Sequence, residues 1–304
     1  MGWQRDLPDP RDYSARDQTI ARHLRTLPSY PYRSLPPSID LRDDDYGECF
    51  GTAADQKNEN SSTAHACLSL LEYFYRKSLG QKFEGSPGFL YEISQILCNK
   101  GPDEGVSIRE TFKALRRYGA PPKELWHRAS NCKSPLNHIG LTGFSKDFNS
   151  FQYFRLDTHM VDTVDELRAF LAAGIPVVLG FPVPRSLTEY GVVPFCGARE
   201  TYRGGQAVLV VGYDDSPNYY EDGSFLFRNS WGINWGESGY GWLPYPCLRR
   251  RVAVDLWTGF DPIWFGGGET NGENEGEQWY YCPSVIGSGS DRDYDNFPSE
   301  RSLK

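Results

Sequence analysis

The sequence predicts an α+β fold from three observations. As far as about residue 150 the clearest segments place apolar residues three and four apart, the spacing of helices with one buried face. From Phe151 the pattern becomes short runs of β-branched and aromatic residues bounded by Gly, Pro and Asp, as in strands. The change happens once, with no internal repeat on either side. A chain of 304 residues can bury a substantial core and hold one large domain or two moderate ones.

Residues 1–37 are rich in Pro, Arg and Asp and read as an extended arm on the domain surface, interrupted by a short helix near Asp17 to Leu27. A helical half follows over 38–150. Its first helix opens in the polar stretch Asp55 to Cys67, where Ser61, Ser62 and Thr63 can accept from the free amides of a helix start, and continues through Leu70, Leu71 and Phe74. A second helix spans Ser86 to Lys100, with Ser86 as its cap and Pro87 at the first helical position. A third covers Ile108 to Tyr118 and is stopped by Gly119-Ala120-Pro121-Pro122.

The β-rich half covers 151–260. Strands are expected at Phe151 to Leu156, Ile175 to Val183, Ala207 to Tyr213, Phe225 to Arg228 and Val252 to Trp257, with a helix from Val161 to Ala173 ended by Gly174. Residues 261–304 form an acidic, Gly-rich extension. From Gly259 onward nine acids against three bases leave six of the chain's eight net negative charges. Such a segment lacks the apolar surface to order itself, except around Trp279-Tyr280-Tyr281, an aromatic island able to anchor to a surface.

A net charge of −8 argues against a polyanion binder, so no nucleic-acid partner is expected, and Arg249-Arg250-Arg251 reads as a solvated strand end. The N-terminus lacks the apolar core of a signal peptide and no run is long enough to span a bilayer, so a soluble, cytoplasmic protein without membrane insertion is expected. Seven cysteines at irregular spacing, without a CxxC pair, suggest free thiols rather than disulfides or a zinc site; no metal or cofactor is expected.

Three motifs carry a family resemblance. Gln56 stands six residues before Ser62 at the mouth of the first helix; Gly204-Gly205-Gln206-Ala207-Val208 opens a strand; and Asn229-Ser230-Trp231-Gly232 follows another. In order and spacing, together with Leu35-Pro36-Pro37-Ser38-Ile39-Asp40, they resemble the papain-like cysteine peptidases. The resemblance implies a two-lobed fold, helical lobe against antiparallel β-rich lobe, with the site at their interface and the Ser62 helix buried between them. It also implies a degenerate, bacterial-type homologue: Gln56 matches the oxyanion position and Asn229 the orienting position, while Ser62 replaces the nucleophilic Cys and Gln206 the His.

A serine hydroxyl needs a base to take its proton, and a carboxamide has no titratable nitrogen to do so. His65, one turn after Ser62, is aimed by its backbone into the packed face, and Cys67 should be a core thiol. Lys57 and Asn60 stand where the family usually has Gly and narrow the approach to the helix end. The expectation is an inactive papain-like protein that binds a protein or extended peptide in the inter-lobe groove, through Lys57, Asn60 and Trp231 among others. The arm and the acidic tail could join it to a larger assembly. The alternative is a residual hydrolase or acyl-transfer enzyme using Ser62.

Overall fold

Helix α2, Ser62–Leu79, is the axis of the molecule. Its apolar residues Leu68, Leu70, Leu71 and Phe74 are buried, and it packs on the helical side and on the sheet at once. The computed structural model describes residues 1–25, 34–42, 49–80, 82–126, 150–156, 163–194, 200–217 and 222–261. The acidic tail beyond Asp261 lies outside these, as do Cys132, Cys196 and Cys282; Cys49, Cys67, Cys98 and Cys247 are free.

On the helical side α1 (Gln18–Leu24) lies in the N-terminal arm, whereas α3 (Pro87–Leu97) and α4 (Ile108–Tyr118) pack on α2. Ser86 caps α3 by accepting from Phe89 N at 3.2 Å, with Pro87 in the first turn, as expected. Ser107 caps α4 in the same way through Glu110 N. The start of α2 differs: no side chain caps it, and the buried hydroxyls of Ser61 and Thr63 have no partner. The expected serine cap is therefore absent at the one helix start that faces the site.

Among the described residues seven strands form one antiparallel sheet. They are β1 (Ser38–Asp40), β2 (Gln152–Arg155), β3 (Val177–Pro184), β4 (Tyr202–Asp214), β5 (Ser224–Arg228), β6 (Tyr240–Pro244) and β7 (Val254–Phe260). The order is β2-β7-β3-β4-β5-β6, with β1 adding to β4. Helix α5 (Thr163–Ala172) packs on β3 and β4, and α6 (Tyr245–Arg249) follows β6. Two features differ from the sequence reading. Tyr240 opens a strand that the sequence reading did not include, its register opposite Arg228 continuing the β5 pairing. The basic cluster begins at the end of helix α6, not at a strand end, with Arg249 3.3 Å from Asp222.

One hydrophobic core runs through both halves, from Leu70 and Phe112 to Val208 and Trp257. The arm belongs to it in part. Rather than lying wholly on the outside, residues 1–4 enter between the helical half and β4, and Ala15 and Ile20 are buried. The arm is held by charge: Arg109 on α4 grips Asp12 with two nitrogens at 2.6 and 2.5 Å and donates to Leu7 O. Arg155 on β2 donates to Asp255 at 2.7 Å, and Asp255 in turn accepts from the backbone N of Asp6.

Candidate functional site

Three segments that are remote in sequence meet at the N-terminus of α2. The loop before the helix brings Gln56, strand β4 brings Gln206, and the turn after β5 brings Asn229 and Ser230. Gln206 is fully buried, and its Nε2 lies 2.9 Å from Gln56 Oε1, 2.9 Å from Asn229 Oδ1 and 3.2 Å from Ser230 Oγ. Ser230 Oγ donates to Gln56 Oε1 at 2.6 Å, and Ser230 N donates to Asn229 Oδ1 at 2.9 Å. The Nε2 of Gln56 is spent on Glu59 O at 2.6 Å, within its own loop. These groups form a closed amide and hydroxyl cluster. Two atoms are left over, Gln206 Oε1 and Asn229 Nδ2, buried without a partner.

Ser62 sits beside this cluster with no exposed surface, and its Oγ accepts from the backbone N of Ala207 at 3.2 Å. Neither a thiol nor an imidazole bonds to it among the described residues. Cys67 is a fully buried core thiol whose proton is held tightly by desolvation. His65 lines a cavity along the 51–57 loop and a small one beside Ala207, Asn229 and Ser230, without a bond to Ser62; burial, and then the charges of Lys123 and Arg228, lower its pKa to about 4 and keep it neutral. A carboxamide neither takes nor gives a proton near neutral pH, so the cluster can hold and orient a hydrogen-bonding group but cannot activate Ser62.

The first residues of the arm cover this place. Gly2 N and Trp3 N both point to Gly205 O, at 2.8 and 3.2 Å, on the sheet side. On the helical side Val106 N donates to Gly2 O at 3.0 Å and Gln4 N donates to Val106 O at 3.1 Å. The arm is thus an extended chain hydrogen-bonded to both halves. Trp3 lies flat on two glycines: a Cβ at Gly180 or at Gly205 would run into it. Its indole N–H is buried without an acceptor.

Of the expected binding residues, Lys57 and Asn60 line a cavity of about 440 Å³ beside Met1 to Gln4. Asn60 is fixed to Asp103 by two hydrogen bonds, at 2.7 and 2.8 Å. Lys57 has a φ of 54° and an exposed side chain, so it borders the groove without filling it. Trp231 stands apart from that cavity, edge-on to Trp235 at 5.1 Å, in a segment bridged to Asp55. Sequence reasoning missed Trp3, Val106, Gly180 and Ser230. A lone Trp in a Pro- and Asp-rich arm, and a Gly pair before Gln206, were the signals available.

The model of the papain family of cysteine proteases matches residues 35–245. An uncharacterized peptidase C1-like protein of Acanthamoeba polyphaga mimivirus is 29% identical over 218 residues, which are 67% of this chain and 68% of that protein. Xylellain, a cysteine protease from Xylella fastidiosa, superposes with a TM-score of 0.68 and 26% identity over 84% of this chain and 94% of its own. Bromelain from Ananas comosus superposes with a TM-score of 0.53 at 19% identity, over 74% of this chain and 98% of its own, a likeness of fold alone.

Proposed function

The chain belongs to the papain family of cysteine proteases, and from that premise we propose that it is a catalytically inactive member retained to bind a protein or an extended peptide. One observation carries the reading: Gln206 is locked by Gln56, Asn229 and Ser230 into a cluster without a titratable group. The motif resemblance assigns Ser62 to the family's nucleophile position and Gln206 to its base position. In a serine triad, loss of nucleophile or base costs roughly a million-fold in turnover.

The partner occupies the groove between the lobes, where main-chain groups of Gly205 and Val106 are the anchors. The chain's own residues 1–4 use those anchors, so a peptide enters as they leave. Extended-chain recognition of this kind takes affinity from backbone hydrogen bonds and selectivity from side-chain pockets. The arm and the acidic tail are the further contacts with a larger assembly, in a cytoplasmic, membrane-free setting. Among the described residues no helix is long and apolar enough to cross a membrane.

The full chain incubated with a broad set of fluorogenic peptides should give no hydrolysis above the blank, and a fluorophosphonate should leave Ser62 unlabelled. Turnover that disappears in Ser62→Ala would establish the residual hydrolase instead. Co-purification from the native source tests the binding half, and recovery of the chain alone would count against a stable partner.

A further inference from the structure

A second concavity opens along the 51–57 loop, sharing Gln56 with the amide cluster and Lys57 with the groove, with a volume of about 700 Å³, within the range of small-molecule sites. One stripe of α2 forms its inner wall. His65, Ser69, Glu72 and Arg76 recur at i, i+4, i+7 and i+11 and all face it, and Arg228 from β5 closes the far side.

The walls carry as many bases as acids, the acids being Asp55, Glu59, Glu72 and Glu84, but the two guanidiniums inside are incompletely paired among the described residues. Arg228 is buried, donates from Nη2 to Gly51 O and Thr52 O at 2.8 Å each, and keeps Nη1 unpartnered. No carboxylate lies within ion-pair distance of it among the described residues. Among the described residues the guanidinium of Arg76, 9% exposed, meets Cys49 O at 3.4 Å and Glu84 at 4.0 Å. Buried cations are ordinarily paired, since an unpaired one forfeits its hydration. The carboxyl on the α2 wall is Glu72, which accepts from Gly85 N at 3.2 Å. Burial raises it to about 7 although Arg228 and Arg76 pull the other way, so it is about half protonated at neutrality and becomes a hydrogen-bond donor below it. Glu84 also faces Glu72, while Lys123 and Asp55 stand exposed at the rim and Glu59 is half-buried there.

We propose that this concavity is a binding site, separate from the groove, for a small molecule carrying an oxyanion group, held by Arg76 and Arg228 with His65, Ser69 and the Glu72 carboxyl as neutral partners. A planar guanidinium pair suits the two or three oxygens of a carboxylate or phosphate. The site does not depend on whether the groove is catalytic. Its pH dependence follows from Glu72: as pH falls through its raised pKa the interior becomes more positive and its carboxyl can donate, so binding tightens.

The test is thermal unfolding and calorimetric titration of the full chain with inorganic phosphate and with succinate, against sodium chloride at equal ionic strength. At least one oxyanion should raise the midpoint saturably, and more strongly at pH 6 than at pH 8. Response to phosphate alone, or to succinate alone, identifies the group. Losing one charged hydrogen-bonding partner in Arg76→Gln should weaken binding by roughly tenfold or more, while Glu72→Gln should bind with a flattened pH response. Lys123→Gln, at the exposed rim, should fold normally and bind a few-fold more weakly, a separate reading should Arg76→Gln fail to fold. Neither oxyanion exceeding chloride, or wild-type binding by the folded Arg76 or Lys123 variant, overturns the proposal.

Discussion

Gly180 decides whether the groove is covered. The Trp3 ring rests where a Cβ at Gly180 would stand, and Gly180 has no left-handed backbone that alanine would strain. Gly180→Ala should therefore lift the arm while leaving the sheet intact. The amides of Gly2, Trp3, Gln4 and Val106 should lose at least tenfold of their hydrogen-exchange protection, whereas those of Val208 and Leu209 keep theirs. Unchanged protection of Gly2 and Trp3 would mean that the arm is held by its charged contacts alone. The same lift bears on Ser62, which is fully buried. In Ser62→Cys combined with Gln206→His, a thiol should react slowly with iodoacetamide and distinctly faster once Gly180→Ala is added.

At the scale of elements, the helix starts divide into two kinds. Ser86 and Ser107 accept from the third residue of their helices, at 3.2 and 3.3 Å, so Ser107→Ala should cost about 1 kcal/mol, read from chemical denaturation. Ser61 and Thr63 at the start of α2 make no such bond, and Ser61→Ala should change stability by less than half as much. The element that faces the site is therefore held by burial and tertiary contacts instead of by its own cap. Local sequence shows that serines precede a helix, but only packing shows which oxygen finds a donor.

For the molecule as a whole, the arm's anchorage makes stability depend on pH. Asp6 and Asp255 are both buried and close together, and desolvation raises both, Asp255 to about 6. A carboxyl whose folded pKa lies above its unfolded one makes the folded state bind more protons between the two values. Stability should therefore rise as pH falls from about 7 to about 4, by about 2 kcal/mol for Asp255 if its shift is fully expressed. Thermal unfolding across that range checks it, and Asp255→Asn should flatten the curve. A wild-type curve that is already flat would mean that Arg155 and Arg109 compensate the buried charge fully.

The sequence by itself determined the fold class, the order of most elements and the residues that would meet at the site. Gln56, Ser62, Gln206 and Asn229 sit in motifs whose resemblance to the family's implies which loop, helix and strand carries each, and the helical and β periodicities record which faces are buried. Strand β6 escaped that reading because its pairing partner lies across a turn of eleven residues, so only register reveals it. Tertiary structure alone decided that the groove holds Trp3, that Gln206 is locked among carboxamides, and that four polar residues of α2 share a cavity with Arg228. Each of these joins residues tens to hundreds of positions apart, and no local propensity encodes such contacts, because they exist only once burial has brought the segments together.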